Sequence, residues 1–395
     1  MFEAAAYLRN SLSSWSAERL QALAQFILDQ VFVTVTFMGQ REMAEYAYIT
    51  INTRGKPLEN KNIIKGHFIQ LASGKSLGDA NEMSRLWDAL EQSAGRKLEE
   101  ILRTAFLMEY REAPAFNFGA QLMEYFDDPQ RLDEVFEWVG KRLPQIAGYH
   151  TQLILDLNKK SVLEKPYANI RRMNFLPWKQ WQAVLFRIGE RHARAPARRK
   201  GLILALDRWC FSANLLGFDD RTICDKVIRA LAQIDKNVDP FGANGALHLS
   251  KEHKTRIPSR LHDGQVLDPE RRGAHVRWLE TLYWGETVDF TATMDASVEH
   301  VLPQRADGQW LKDFPEAIHI HAEQFGNLCL IPKTLNRDLQ NLAYAQKRKA
   351  FRKLDQAYRS AHDVASATSW TMSAVHARSD RLKELALTEL GFTEA

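Results

Sequence analysis

Cysteine is scarce: Cys210, Cys224 and Cys329 are the only three, they lie far apart, and no CxxC pair occurs. That spacing indicates neither a disulfide framework nor a thiolate zinc site, and it fits a reducing cytoplasm. Long apolar runs are missing as well. No stretch approaches the ~20 residues that a membrane span needs, so no membrane association is expected. The opening "MFEAAAYLRNSLSSW" has neither the basic nor the long apolar region of a signal peptide. No internal repeat or low-complexity segment stands out, and neither sign of charge dominates, the formal net charge being +4.

What is present is the composition of a globular protein, 45% hydrophobic and 26% charged, over 395 residues that suffice for two or three domains. The small net charge is unevenly spread. "RIGERHARAPARRK" (187–200) and "KRKAFRKLDQAYR" (347–359) each hold six Lys or Arg against one acid. Such clusters on a near-neutral chain are what a polyanion-binding surface requires. The plainer alternative is a pair of solvated helix faces.

Along the chain, "SAERLQALAQFILDQ" (16–30) has helical spacing, with Ser16 as its N-cap. "VFVTVTF" (31–37) alternates like a strand. A helix, "REMAEYAYITIN", runs into the turn around Gly55 and Pro57, and "NKNIIKGHFIQLAS" resumes helical character. From about 80 to 235 apolar residues recur every three or four positions between Asp, Gly and Pro punctuation, predicting a helical array. Residues 236–273 read as loop-rich, and "HVRWLETLYWGE" (275–286) as a further helix that carries Trp278 and Trp284 in the core.

Next comes "VEHVLPQ" (298–304), with an acid and a histidine in an apolar run where burying either is costly. "NLCLI" predicts a second short strand and "NRDLQNLAYAQKRKAF" a helix start followed by a basic helix. In this ββα outline the end of the first strand approaches the start of the helix, so Glu299, His300 and Asn336 are expected to converge. A Glu carboxylate and an Asn carbonyl suit a hard cation, and a neutral histidine beside it can take a proton from water. Together they describe phosphodiester hydrolysis. "HIH" (319–321) offers two imidazoles, too few ligands for zinc.

"VEHVLPQ…FGNLCLIPKTLN…NLAYAQKRKAF" resembles the HNH (His-Me finger) nuclease domain at the C-terminus of GmrSD-type modification-dependent restriction endonucleases. The resemblance implies catalytic roles for His300 as general base, Asn327 as the brace of the loop, and Lys347. It implies Glu299 and Asn336 as ligands of Mg²⁺ (or Mn²⁺). It implies double-stranded DNA, foreign or modified, as substrate and a family Asn at Asn341; the basic clusters with Arg198, Arg199, Lys200 and Arg348, and Arg337 beside them, are then the expected DNA contacts. Residues 31–69, with "INTRGKPL", are similar to the later part of the ParB-like N-terminal domain of the same enzymes. Asn52, Arg54 and Gly55 would there bind nucleotide, although the earlier "DGQQR" motif is lacking and "MGQR" (38–41) is a poor substitute. The chain is therefore expected to begin partway through that domain, as a shortened form, a degenerate paralogue, or a subunit whose missing half is a separate chain.

The expected architecture is mainly α: a partial α/β N-terminal remnant (1–75), a helical domain (76–290) and a C-terminal ββα-metal nuclease module with further helices (291–395). The rival to an endonuclease is a non-cleaving nucleic-acid-binding or regulatory subunit that keeps the nuclease fold as a scaffold.

Overall fold

The computed structural model describes residues 2–32, 59–262, 267–314 and 322–392. The expected strand at 31–37 falls largely outside these residues, and "REMAEYAYITIN", Asn52, Arg54, Gly55 and "HIH" fall wholly outside them. The chain divides into two units, 1–59 and 60–395. The first contains the helices Phe2–Leu12 and Ala17–Gln30, and Ser16 caps the second by accepting from the Arg19 amide. No helix among the described residues is long and apolar enough to cross a membrane.

The second unit is mainly helical, and its core follows from the spacing of apolar residues. In the Leu77–Ala94 helix, Ala80, Met83, Trp87, Leu90 and Ala94 are the buried positions, so one stripe meets the core. Ser76 and Asp79 open that helix, the Ser76 hydroxyl accepting from the Asp79 amide. From the Asn60–Ser73 helix, Phe68 meets Trp87, Phe126 and Trp138 edge-on with ring centroids 5.5–6.4 Å apart.

Two helical features depart from the sequence reading. Pro144, read as punctuation between helices, instead lies inside one unbroken helical run over 132–158, because π turns at Trp138–Arg142 and Thr151–Leu155 accommodate it. Pro144 lacks an N–H and its ring crowds the preceding turn, and the wider turn just before it relieves both problems. Within the supposed loop 236–273, Lys251–His262 is a helix that buries only Ile257 and Leu261. With so few apolar positions it leaves almost no periodic signal.

Two antiparallel pairs of short strands interrupt the helices: β1 (Val162–Glu164) with β2 (Thr287–Asp289), and β3 (Ala296–His300) with β4 (Leu328–Pro332). In the second pair Ala296 faces Pro332 and His300 faces Leu328. Alternation along β4 sends Leu328 and Leu330 into the large helical core, while Cys329 and Ile331 enter a second cluster with Val301, Trp310, Phe351, Trp370 and Val375. The hairpin is thus buried on both faces.

Buried charge ties the surrounding helices to the hairpin. Arg378, in the Met372–Leu390 helix, donates through Nη1 to the carbonyls of Gly326 and Leu328 at 2.8 Å each, and through Nε to Asp363 at 2.6 Å. Gly326 lets that helix approach: a Cβ there would collide with the Val375 carbonyl and the Ser379 hydroxyl, and would lie 2.9 Å from the Ser379 nitrogen. Glu280 accepts from the Ser360 amide at 3.1 Å and from its hydroxyl, and that hydroxyl in turn accepts from the Leu330 amide of β4 at 3.0 Å. Elsewhere Asp207 takes Arg172 at 2.5 Å and Asn169 at 3.0 Å, and Arg172 also meets Glu389 at 2.6 Å, joining three helices.

Burial pushes the Glu280 carboxyl up to about 7, outweighing the Ser360 hydrogen bonds and the Arg378 charge. A carboxyl raised in this way is stabilised neutral. Its contribution is complete below its ordinary value of 4.5 and fades as pH rises through about 7. Glu280→Gln stays neutral at every pH and keeps an acceptor for Ser360. Its Tm relative to the parent should therefore rise between about pH 5 and 8. Parallel Tm curves would show that Glu280 does not titrate in this range.

Candidate active site

β3 ends at His300, and the alternation of the strand decides which groups meet there. Glu299 and His300 are neighbours in sequence, so their side chains leave opposite faces. Glu299 turns to the second cluster and His300 to the side of the Pro269–Leu282 helix. Glu299, His300 and Asn336 each bond a partner of their own.

On the His300 face the partner is Glu323, which sequence reasoning missed. His300 Nε2 and Glu323 Oε2 lie 3.0 Å apart, with side chains 19% and 15% exposed. Arg272 Nε reaches the same carboxylate oxygen at 2.9 Å, and the Gln304 amide donates to the other oxygen. Burial pulls the Glu323 carboxyl upward, but the hydrogen bonds from His300 and Gln304 and the nearby positive charges outweigh it and hold the group at about 2. It is ionised wherever the protein is folded at neutral pH. The sequence signal lay three residues before Gly326 and inside "PERRG", but nothing local links Arg272 to Glu323 across fifty positions.

On the other face the Lys347 ammonium, from the Tyr344–Phe351 helix, lies 2.6 Å from Glu299 Oε1, with side chains 0% and 5% exposed. It also donates to the carbonyls of His300 at 3.0 Å and Val301 at 3.1 Å. Burial raises the Glu299 carboxyl against the pull of Lys347. Asn336 donates its amide to Ser297 Oγ and to the Val298 carbonyl, both at 2.9 Å. Glu299 and Asn336 so placed do not fit a shared Mg²⁺, because an ammonium already supplies the counter-charge on the carboxylate. Among the described residues no cluster of three His, Cys, Asp or Glu could hold a metal. Lys347, given a catalytic role by the resemblance, is fully buried against Glu299.

Asn327 is fully buried and fully bonded. Its Nδ2 donates to the carbonyls of Leu302 and Ala322 at 2.9 Å, and its Oδ1 accepts from the Leu302 amide at 2.7 Å and from Trp370 Nε1 at 3.0 Å. It fastens the chain after His300 to the turn before β4 and touches no open surface, so it acts on the site by bracing it.

The basic clusters are thinner than their sequences. In the first, Arg187 pairs with Glu109, Glu190 and Asp235, and Arg191 with Asp235. Arg198 and Lys200 remain exposed at the start of the Pro196–Leu216 helix, with Arg199 half-buried. In the second, Arg348, Lys349, Arg352 and Lys353 line a recess of about 310 Å³ with Thr368, and Arg348 Nε donates to the Ala365 carbonyl. Arg337 is exposed, and Asn341 Nδ2 donates to Asp307. A larger cleft of about 910 Å³ carries Glu99, Glu100, Asp220, Asp268 and Glu270 against Arg103, Lys179 and Arg271, a balance that repels a polyanion.

Lys347→Met should strand a buried carboxylate and cost about 3–5 kcal/mol, most of it recovered when Glu299→Gln is added. Equal Tm for the single and double variants, read by thermal melting, would remove the clamp. No curated protein matches the chain. The segment that carries Arg272, His300, Glu323, Asn327, Asn336, Lys347 and Arg378 is the one with a family resemblance: residues 267–385 match the family model of the GmrSD restriction endonucleases, C-terminal domain.

Proposed function

We propose that this chain is an endonuclease of the HNH type that hydrolyses phosphodiester bonds of double-stranded DNA, in restriction of foreign or modified DNA, with His300 as general base. One observation carries the reading. A partly exposed imidazole, hydrogen-bonded to an ionised carboxylate, ends β3 of a hairpin that leads straight into the Lys333–Leu339 helix, inside the stretch similar to restriction endonucleases.

In this chemistry a water oxygen bonds to phosphorus as the P–O3′ bond breaks. The proton of the water passes to the imidazole, and the departing 3′ oxygen takes a proton from solvent and leaves as a hydroxyl. Glu323 balances the imidazolium, Asn327 and Lys347 hold the end of β3 still, and exposed cations hold the flanking backbone. The resemblance also implies Mg²⁺ or Mn²⁺, and EDTA tests for that requirement.

Plasmid nicking is the assay. His300→Ala should lose about 10²–10⁴-fold in rate, the usual contribution of a positioned general base, with melting and DNA binding close to the parent. Nicking at the parent rate would sink the reading. The commitment of Glu299 to Lys347 favours a second reading, a DNA-binding subunit that does not cut. Binding without nicking, whatever divalent ion is added, would select it.

Affinity for duplex DNA should be salt-dependent, with log K falling by about 0.9 per phosphate contact for each decade of salt. Reversing Lys349, Arg352 and Lys353 to Glu should flatten that slope by up to about 2.7 if all three make contacts. The same reversal of Arg198 and Lys200 tests the other cluster. An unchanged slope assigns the reversed residues to a merely solvated face.

A further inference from the structure

Resting on the reading of His300 as the base, we propose that Glu323, itself held by Arg272 and Gln304, positions the His300 imidazole so that Nδ1 faces the attacking water. The chemistry of the contact sets the tautomer. An ionised carboxylate only accepts, so the ring nitrogen 3.0 Å from Glu323 Oε2 must be the donor, and the neutral ring then carries its lone pair on Nδ1. In the reaction Nδ1 gains the proton of the water, Nε2 keeps its own, and none moves to Glu323, whose charge faces the imidazolium that forms.

The clamp on Glu323 argues for positioning. The imidazole rotates over a broad range about its last side-chain torsion, and the protein must fix it from outside. Glu323 can do so because it is fixed in turn: Arg272 Nε lies 2.9 Å from Oε2, and Gln304 donates to Oε1. The two holders come from different places, Arg272 from the helix before the hairpin and Gln304 from the chain just after β3. The carboxyl is held ionised at about 2, in keeping with an acceptor-only role. Both side chains of the His300–Glu323 pair keep some solvent exposure, 19% and 15%, so the ring is open to water on part of its surface.

The test compares the full chain with Glu323→Gln, Glu323→Asp and His300→Ala, measuring kcat and KM on supercoiled plasmid, melting, and the ¹⁵N shifts of the His300 ring. Glutamine can donate as well as accept, so it no longer fixes the tautomer. Glu323→Gln should lower kcat by up to about 10⁴-fold, as for loss of an orienting carboxylate that fixes the tautomer, with KM and Tm near the parent. Glu323→Asp keeps an acceptor-only carboxylate and should recover part of the loss. The ring shifts should report Nε2–H in the parent and a mixture in Glu323→Gln, whether or not the DNA used is cut. Parent kcat in Glu323→Gln while His300→Ala is inactive would overturn the positioning role and leave the base in place. Parent kcat in both would overturn the reading of the base itself. Equal losses in the Asp and Gln variants, accompanied by a fall in Tm, would make Glu323 a structural residue and overturn the proposal.

Discussion

The geometry around His300 depends on one buried guanidinium. Arg378 supplies hydrogen bonds to the carbonyls of Gly326 and Leu328, and adds a second donor to Phe325, whose carbonyl also accepts from the Leu328 amide. A buried carbonyl without a donor costs about 1–3 kcal/mol, so two such groups outweigh most single apolar contacts in the module. By ending this need, Arg378 fixes the turn from which Asn327 points and from which β4 starts. The register of β3 against β4 follows, and with it the position of His300 opposite Leu328. Asp363 balances the charge and Tyr283 adds a hydroxyl to the same carboxylate, so the helices Pro269–Leu282, Arg359–Ser366 and Met372–Leu390 close around the hairpin together.

Given that frame, the two-residue repeat of a strand sorts the adjacent acid and histidine into different environments. The inward carboxylate meets a fully buried lysine, where removing either partner leaves an uncompensated charge. The outward imidazole meets a carboxylate held by an arginine and a glutamine near solvent, where proton exchange with water is possible. A chain that kept both groups on one face would have to desolvate both together. Here the costly burial serves the fold, and the His300–Glu323 pair stays nearer to solvent.

Much of this was legible in the sequence. Regular apolar spacing marked the Leu77–Ala94 helix, and Trp278 is the core residue it was expected to be. The apolar "NLCLI" became β4, and "VEHVLPQ" opens inside β3 and ends in the turn that follows it. The glycine of "FGNL" owes its place to a helix backbone that leaves no room for a side chain. What escaped had no local cause. The Lys251–His262 helix buries two apolar residues, and Val162–Glu164 pairs with a strand over a hundred residues away. Glu323 resembles any loop acid until Arg272 is folded against it. Nor does anything local show that the cation meeting Glu299 comes from Lys347, forty-eight positions on.

Arg272 also bears on how such a module can be inherited. The hairpin and its following helix look like a self-contained cassette, yet one holder of the carboxylate beside His300 lies on the Pro269–Leu282 helix, upstream of β3. A recombination joint placed between that helix and the hairpin would pair an intact motif with a loosened histidine. Chimaeras with other N-terminal halves would preserve the site only if the joint fell before the helix, which makes the helix part of the cassette rather than part of its linker.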